Sequence, residues 1–258
     1  MAISIDRANQ AVGMGIRLVS VAAVVLTIGV SFFLLGCSTI NAKSHLLMAD
    51  QRYAEGRFDE ALAEYDEAIR LQPEFVIAYN SRGDVYNSLG QFQRAIEDLD
   101  EAIRLDPQFA QAYNNRGFSH SGLGQFQQAI EDFSKAISLN SLLAITYYNR
   151  GNAYYRLGSQ EPAIQDLDQS IHLDPRFPPA HLDRGNLSLS EGEMQESIDY
   201  FDTAIRLNPQ LVQAYVSRSL AHTRLGDETA ALRDFERAVE LGYDRKESEL
   251  LEGVNSPR

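Results

Sequence analysis

The sequence predicts an all-α protein, a solenoid of stacked helical hairpins, because one pattern recurs along most of the chain. The segment Ala78-Tyr-Asn-Ser-Arg-Gly-Asp-Val-Tyr86 returns as Ala112-Tyr-Asn-Asn-Arg-Gly-Phe-Ser-His120 and as Thr146-Tyr-Tyr-Asn-Arg-Gly-Asn-Ala-Tyr154. Three residue types recur at a spacing of 34 residues: Arg82, Arg116, Arg150, Arg184 and Arg218; Gly56, Gly90, Gly124, Gly158, Gly192 and Gly226; and Ala61, Ala95, Ala129, Ala163 and Ala231, with Ser197 replacing the alanine once. A fixed period of this length is the signature of a repeat architecture.

The first helix of each unit is predicted from residues that share one helical face. In the second unit these are Tyr79, Arg82, Gly83 and Tyr86, at positions i, i+3, i+4 and i+7. Gly90 follows them, and glycine tolerates the positive φ that commonly ends a helix. The pattern therefore predicts a first helix that ends at Gly90.

The second helix of the same unit is predicted from an apolar stripe at helical spacing, formed by Ala95, Ile96, Leu99, Ala102 and Ile103. Asp106-Pro107 stops this helix, because proline disfavours a helical conformation in the residue before it. Gly83 and Ala95 are small where the two helices are expected to cross closely. One hairpin cannot bury its stripe alone, so neighbouring hairpins are expected to stack.

The whole pattern is similar to the tetratricopeptide repeat (TPR), with Tyr-x-x-x-Gly-x-x-Tyr, then Ala-x-x-x-Phe/Leu and a closing Pro. Six units fit the chain, at 42–75, 76–109, 110–143, 144–177, 178–211 and 212–245. The resemblance implies a right-handed α-solenoid whose first helices line a concave groove for a protein or peptide ligand. Residues 246–258 are predicted to form a short capping helix and a tail, since Asp244-Arg-Lys-Glu247 resembles a capping box.

The N-terminal segment, residues 1–36, is predicted to be a signal peptide or a hydrophobic membrane segment. Arg7 and Arg17 precede an apolar stretch from Leu18 to Leu35, which is the order of an export signal. The sequence Leu34-Leu35-Gly36-Cys37 that follows resembles the lipobox of bacterial lipoproteins. That resemblance implies cleavage before Cys37 and diacylation of its thiol, with 37–41 as lipid-attachment site and short linker.

Two alternatives stay open for this tether: a lipid anchor on Cys37, or an uncleaved transmembrane helix. About 18–20 apolar residues can span a bilayer, and two acyl chains anchor a protein stably, at about 0.8 kcal/mol per buried methylene. Both place the rest of the chain outside the cytoplasm, because Arg7 and Arg17 favour an N-terminus retained inside. We therefore expect an extracytoplasmic, membrane-anchored protein in the cell envelope or on the periplasmic side.

Composition and motifs narrow the function classes further. The chain has 258 residues and a formal net charge of -13, which argues against nucleic-acid binding because that needs a positive surface. Its single cysteine cannot form an internal disulfide. The histidines have no metal-ligand spacing, and no phosphate loop or nucleophile elbow is present. We expect no metal, no cofactor and no catalytic site.

Four units carry an arginine on the first helix and an aspartate on the second: Arg82 with Asp98, Arg116 with Asp132, Arg150 with Asp166, and Arg218 with Asp234. We call these four pairs the charge rungs. Our hypothesis is a partly buried interhelical ion pair with a neighbouring tyrosine packed on the guanidinium; the alternative is two independent surface charges. The unit of Arg184 differs, because Tyr200 replaces the aspartate. Either way these arginines are assigned a structural role.

Candidate partner-binding residues lie on the side of the first helices away from the Tyr/Arg/Gly stripe: Asn80, Asp84, Asn87, Asn114, Phe118, Tyr148, Asn152, Tyr155 and Asn186. Asparagine amides can bond a peptide backbone in either sense, and tyrosine gives contact area at low entropic cost. Phe118 is the strongest single candidate, as an apolar side chain among polar neighbours. The alternative is an inner face that is only solvated. The lysine-containing clamp by which some TPR domains hold a terminal carboxylate is absent.

These observations predict a non-catalytic, membrane-tethered TPR scaffold that mediates protein–protein interactions through its concave groove, as a bacterial envelope lipoprotein. The alternative prediction is a single-pass, membrane-anchored TPR assembly factor for a membrane or secretion complex.

Overall fold

The computed structural model describes residues 41–244, and within that range the chain is all-α, as predicted. The described residues divide after Pro107 into two compact units, 41–107 and 108–244. The predicted lipid-attachment site at Cys37 and the predicted capping helix both lie outside the described residues, and stay predictions.

The unit 41–107 contains two helical hairpins. Helices α1, over 41–54, and α2, Phe58–Leu71, form the first hairpin; α3, Val76–Ser88, and α4, Phe92–Leu105, form the second. Helix α4 ends just before Asp106-Pro107, as the proline predicts. Small side chains dominate the core between these helices, including Ala49, Ala61 and Ala78, together with Tyr65.

The unit 108–244 contains four more hairpins of the same kind. The first helices are α5, Ala110–Gly122; α7, Ala144–Arg156; α9, Pro178–Glu191; and α11, Val212–Leu225. The second helices are α6, Phe126–Leu139; α8, Gln160–Leu173; α10, Met194–Leu207; and α12, Glu228–Glu240. Each second helix packs on the first helix of its own hairpin and, up to α10, on that of the next. Stacking of this kind buries the apolar stripe that one hairpin would leave exposed.

The turn inside each hairpin uses the recurring glycine. Gly90 has φ of +69°, and its amide donates to the Asn87 carbonyl at 3.0 Å. The next amide, of Gln91, donates to the Tyr86 carbonyl at 2.8 Å. These two bonds form a Schellman motif, which satisfies the last carbonyls of the helix and needs a left-handed residue. The sequence prediction of a helix end here is therefore confirmed, with α3 itself ending at Ser88.

The helices of a hairpin cross closely at the glycine of the first helix. A Cβ atom placed on Gly83 would lie 2.9 Å from Leu99 Cγ, and one on Gly117 would lie 2.8 Å from the Phe133 ring. Leu99 and Phe133 are fully buried. The small residue predicted at the crossing is thus required by the packing. Within residues 41–244, no helix is both long enough and apolar enough to span a bilayer.

Candidate functional site

The charge rungs are interhelical ion pairs with bidentate geometry. In each, the arginine Nε and Nη2 atoms donate to the two carboxylate oxygens of the aspartate, at distances of 2.5–2.8 Å. In the rung of Arg150 and Asp166 the exposed fractions of the side chains are 19% and 8%. Partial burial and a two-bond fork make such a pair stronger than an exposed one.

Three of these arginines, Arg82, Arg150 and Arg218, also reach the second helix of the preceding hairpin. Arg82 Nη1 donates to Asp66 on α2 at 2.5 Å, and Arg150 Nη1 donates to Ser134 Oγ on α6 at 3.0 Å. A tyrosine three residues before each rung arginine lies under the guanidinium, with Arg82 5.7 Å from the Tyr79 ring centre. One guanidinium therefore joins two consecutive hairpins, which gives these residues a structural use.

Arg184 has different partners because its hairpin lacks the aspartate. Its guanidinium lies 5.0 Å from the ring centre of Tyr200, the residue that replaces the aspartate. It donates to Asp168 of the preceding hairpin at 2.9 Å and to Ser188 Oγ at 2.5 Å. The contact to the preceding hairpin is kept. Within its own hairpin, Arg184 has a cation–π contact with Tyr200 and a longer bond, of 3.4 Å, to Glu196 on α10 in place of the bidentate pair.

Two adjoining pockets open among the first helices of the unit 108–244. The first pocket has a volume of about 340 Å³ and lies between α5, α6 and α7. Its lining is mainly aromatic and apolar, with a few polar groups: Phe118, Ser121, Gly122, Phe126, Phe133, Tyr148, Asn149, Asn152, Ala153 and Arg156. An apolar cavity with a few convergent polar groups is the usual form of a binding site.

The second pocket, of about 330 Å³, continues from the first toward α9 and shares Asn152 and Arg156 with it. It is lined by Asn152, Tyr155, Arg156, Leu167, Asp183, Asn186 and Leu187. Asp183 is the acidic group of this lining. Burial raises the pKa of its carboxyl, and the hydrogen-bonding groups of Tyr148 and Asn152 partly offset that rise. Burial likewise raises the pKa of the Tyr148 hydroxyl, with the neighbouring Asp183 charge adding to the effect.

The predicted partner-binding residues fall into three groups in the structure. Phe118, Tyr148, Asn152, Tyr155 and Asn186 all line one of the two pockets. Asn114 is half-buried on α5, one of the helices that line the first pocket, but it is not itself a lining residue. Its side chain contacts those of Asn115 and Asn149. Phe118 and Tyr155 expose 46% and 54% of their surface, so they are accessible to a partner.

The three candidates on α3 are less accessible than the sequence suggested. Asn80 and Asn87 expose only 9% and 6% of their surface, so the assignment of these two amides to an open groove is corrected. Asp84 accepts a hydrogen bond from the Tyr53 hydroxyl at 3.1 Å, and burial raises the pKa of its carboxyl. Packing against neighbouring helices engages these polar groups within the fold, which a helical wheel of a single helix does not show.

Two charged residues of the pockets, Arg156 and Asp183, were not among the predicted candidates. Asp183 departs from the repeat, and Arg156 shares its residue type with one other copy, Arg224. The positions equivalent to Arg156 hold Ser88, Gly122, Ser190 and Arg224, and those equivalent to Asp183 hold Ser81, Asn115, Asn149 and Ser217. A carboxylate at a position that is otherwise neutral is the signal that would have identified Asp183, and an arginine at a position that is small in three other copies is the signal for Arg156. Across residues 41–244, no group of three or more His, Cys, Asp or Glu side chains is arranged to hold a metal ion.

Comparison with solved structures finds several proteins of the same fold. MamA is 26% identical, with 66% of this chain and 93% of that chain covered and a TM-score of 0.57. PilW, described as a widely conserved type IV pilus biogenesis factor, is 20% identical, with 81% and 98% covered and a TM-score of 0.73. YrrB, described as a TPR protein with an unusual peptide-binding site, is 21% identical, with 70% and 94% covered and a TM-score of 0.57.

Family models identify the repeats directly. A model of the tetratricopeptide repeat matches residues 46–110 and 182–246. Further models of the same repeat match 99–131, 122–158 and 144–177, so that matches run through all the hairpins. No curated protein matches the chain. With the hairpins, their crossing glycines and these matches together, the chain belongs to the tetratricopeptide repeat family.

Proposed function

We propose that this chain is a non-catalytic interaction scaffold that binds a protein or peptide through the two pockets of the unit 108–244. The observation that carries the proposal is that five of the residues predicted from the sequence line these adjoining pockets. The pockets combine exposed aromatic surface with asparagine amides. This is the combination that holds an extended chain, because rings supply contact area and amides bond to its backbone.

The pocket sizes support a peptide side chain as the occupant of each. Both lie at the lower end of the range of about 300–1,000 Å³ for ligand pockets. Phe126 and Phe133 give the first pocket an apolar floor, while Asp183 and Asn186 make the second more polar. The partner we propose therefore presents an apolar side chain to the first pocket and a polar one to the second.

The similarity to YrrB agrees with this proposal but does not carry it. YrrB is described as having a peptide-binding site, and at 21% identity its likeness to this chain concerns the fold. The proposal is based on the residues that line the two pockets of this chain. Catalysis is not part of it, because the pocket residues form neither a nucleophile with its base nor an acid/base pair.

Crosslinking and pull-down from intact membranes test the scaffold proposal. A variant with Phe118→Ala and Tyr155→Ala should lose the partners that the wild-type chain captures. The matched control carries Leu157→Ala and Leu225→Ala, which remove similarly exposed apolar side chains outside both pockets. Equal capture by wild type and the pocket variant would contradict binding through these pockets.

We further propose that the scaffold is tethered to a bacterial membrane through a lipid on Cys37, with the repeats on the extracytoplasmic side. The Leu34-Leu35-Gly36-Cys37 sequence after the apolar stretch supports this. The alternative is a single-pass, membrane-anchored assembly factor for a membrane or secretion complex. The length of the stretch from Leu18 to Leu35 favours that alternative, since 18 apolar residues approach the span of a bilayer.

Mass spectrometry of the protein's N-terminus separates the two tethers. A lipid anchor predicts that residues 1–36 are absent and that Cys37 carries the added mass of acyl chains. A transmembrane anchor predicts an intact start at Met1 or Ala2 and an unmodified cysteine. Cys37→Ser should abolish the acyl mass in the first case and change nothing in the second.

A further inference from the structure

Arg156 is placed to meet a ligand. It is the last residue of α7, it is exposed, and it lines both pockets. Its guanidinium carbon lies 5.0 Å from the centre of the Phe126 ring, which holds the charged group at the wall of the first pocket. Within residues 41–244 its side chain has no carboxylate and no hydrogen-bond acceptor as a partner. A guanidinium held over a ring and not paired with a protein acceptor is suited to receive an anion.

The charges of the unit 108–244 are divided between its two sets of helices. The first helices carry six arginines and two carboxylates, a net charge of +4, whereas the second helices carry four basic and twelve acidic side chains, a net charge of -8. Although the chain is acidic as a whole, the first helices of this unit, three of which line the pockets, are therefore locally basic. A partner that complements them carries negative charge.

Most of this positive charge is already used inside the fold. Arg116, Arg150 and Arg218 pair with aspartates of the second helices, and Arg184 donates to Asp168. Arg224, at the same repeat position as Arg156, donates to the Leu189 carbonyl at 3.1 Å. Arg156 is the arginine of this set that remains for a partner.

The one acidic group of the pockets, Asp183, does not compete for Arg156. It lines only the second pocket, and Tyr148 and Asn152 supply the groups that interact with its carboxyl. An incoming negative charge is therefore favoured on the side of the first pocket, where Phe126 supports the guanidinium and no acidic residue is among the lining residues.

We infer that the bound partner is a peptide segment with an acidic side chain next to an aromatic or large aliphatic one. The apolar side chain occupies the first pocket, against Phe118 and Phe133, and the neighbouring carboxylate receives hydrogen bonds from Arg156. This inference rests on the proposed peptide-binding function and adds to it the chemistry of the partner. It concerns a side-chain carboxylate within the segment, so a free C-terminus is not needed.

Fluorescence anisotropy on the full-length chain in detergent micelles tests the inference. The probes are labelled ten-residue peptide pools, acetylated and amidated so that the termini carry no charge, with a fixed central pair in a background of Gly, Ala, Ser and Thr. The pairs are Phe-Asp, Phe-Asn and Phe-Lys. We expect the Phe-Asp pool to bind best, and Arg156→Gln to weaken its binding by about fivefold. The same variant should leave the Phe-Asn pool unchanged, and added salt should reduce the preference for Asp.

Arg206→Gln is the matched control, because Arg206 is an exposed arginine on α10 outside both pockets. If Arg206→Gln weakened binding of the Phe-Asp pool as much as Arg156→Gln does, the effect would be one of net charge and the inference would fail. Equal binding of the three pools by the wild-type chain would also overturn the inference while leaving peptide binding intact. Absence of binding by every pool would instead count against the proposed function itself.

Discussion

At the scale of single residues, burial decides how polar side chains on the first helices are used. Asn80 and Asn87 on α3 are buried, while Asn152 and Asn186 in the unit 108–244 line the pockets. Asp183 combines both situations, since it lines a pocket and is still desolvated enough for its pKa to be raised. A carboxylate in that position opposes folding whenever it is ionised.

Asp183 is expected to give the stability of the protein a measurable pH dependence. Its pKa is raised above the ordinary value of 3.8, so the native state holds this proton more tightly than the unfolded state does. The free energy of unfolding therefore falls as pH rises from about 4 through the raised pKa. Asp183→Asn removes that fall. Urea unfolding at several pH values should show that the free energy of unfolding of the variant increases relative to that of wild type as pH rises. Parallel curves would contradict the prediction.

Glu101→Gln is the control of opposite sign for this measurement. Hydrogen bonds from Arg104 lower the pKa of Glu101, so its carboxylate stabilises the fold above its ordinary pKa and that contribution is lost as pH falls. The free energy of unfolding of Glu101→Gln should therefore decrease relative to that of wild type as pH rises, whereas that of Asp183→Asn increases.

Gly83 tests the close crossing of α3 and α4. Because a Cβ there would lie 2.9 Å from Leu99 Cγ, Gly83→Leu should overpack the crossing and destabilise the protein by at least about 1–3 kcal/mol. Thermal unfolding followed by circular dichroism measures the loss. Gly83→Ala should have a smaller effect, since the Leu99 side chain can shift. An unchanged melting temperature in Gly83→Leu would refute the assignment of this glycine to the crossing.

At the scale of the helices, the charge rungs connect elements that the apolar stripes already bring together. Each rung arginine contacts the second helix of its own hairpin and, for Arg82, Arg150 and Arg218, that of the hairpin before. The rungs therefore lie at the junctions between hairpins. A repeat protein depends on such nearest-neighbour contacts for its cooperativity.

A double-mutant cycle on Arg150 and Asp166 measures one rung. Removal of one partner leaves the other partly buried without compensation, so Arg150→Met and Asp166→Ala together should cost less than the sum of the single changes. We expect a coupling of about 0.5–3 kcal/mol from denaturant unfolding. The exposed pair of Arg237 and Glu240 is the reference, and should couple by no more than about 1 kcal/mol. No coupling in the Arg150 cycle would mean that the two charges act independently.

At the scale of the whole molecule, stability is expected to accumulate hairpin by hairpin. Phe201 is fully buried and packs with Ile198, Leu189 and Ala221, so the last hairpin covers apolar surface of the one before it. Deletion of residues 212–258 should lower both the melting temperature and the denaturant m-value, while the helical content per remaining residue stays similar.

Deletion of residues 245–258 alone is the control for this truncation, and separates the contribution of the last hairpin from that of the segment beyond it. A melting temperature that stays at the wild-type value after removal of residues 212–258 would show that the remaining hairpins do not depend on the last one.

Much of the architecture could be read from the sequence because it rests on local periodicity. The 3.6-residue stripe of α4, the stop at Asp106-Pro107 and the turn at Gly90 each follow from a few neighbouring residues. The pairing of Arg82 with Asp98 followed as well, since their spacing repeats in register with the helices. The lipid attachment at Cys37 remains a prediction of the sequence.

The sequence by itself thus determined the family and the hairpins, and it predicted five of the residues that line the pockets. Only the tertiary structure decided that Asn80 and Asn87 are buried and that Arg156 and Asp183 belong to the candidate site. The physical reason is that a helical period specifies which side of one helix a residue occupies. The space and the charges that the residue meets there come from neighbouring hairpins, whose packing no single period describes.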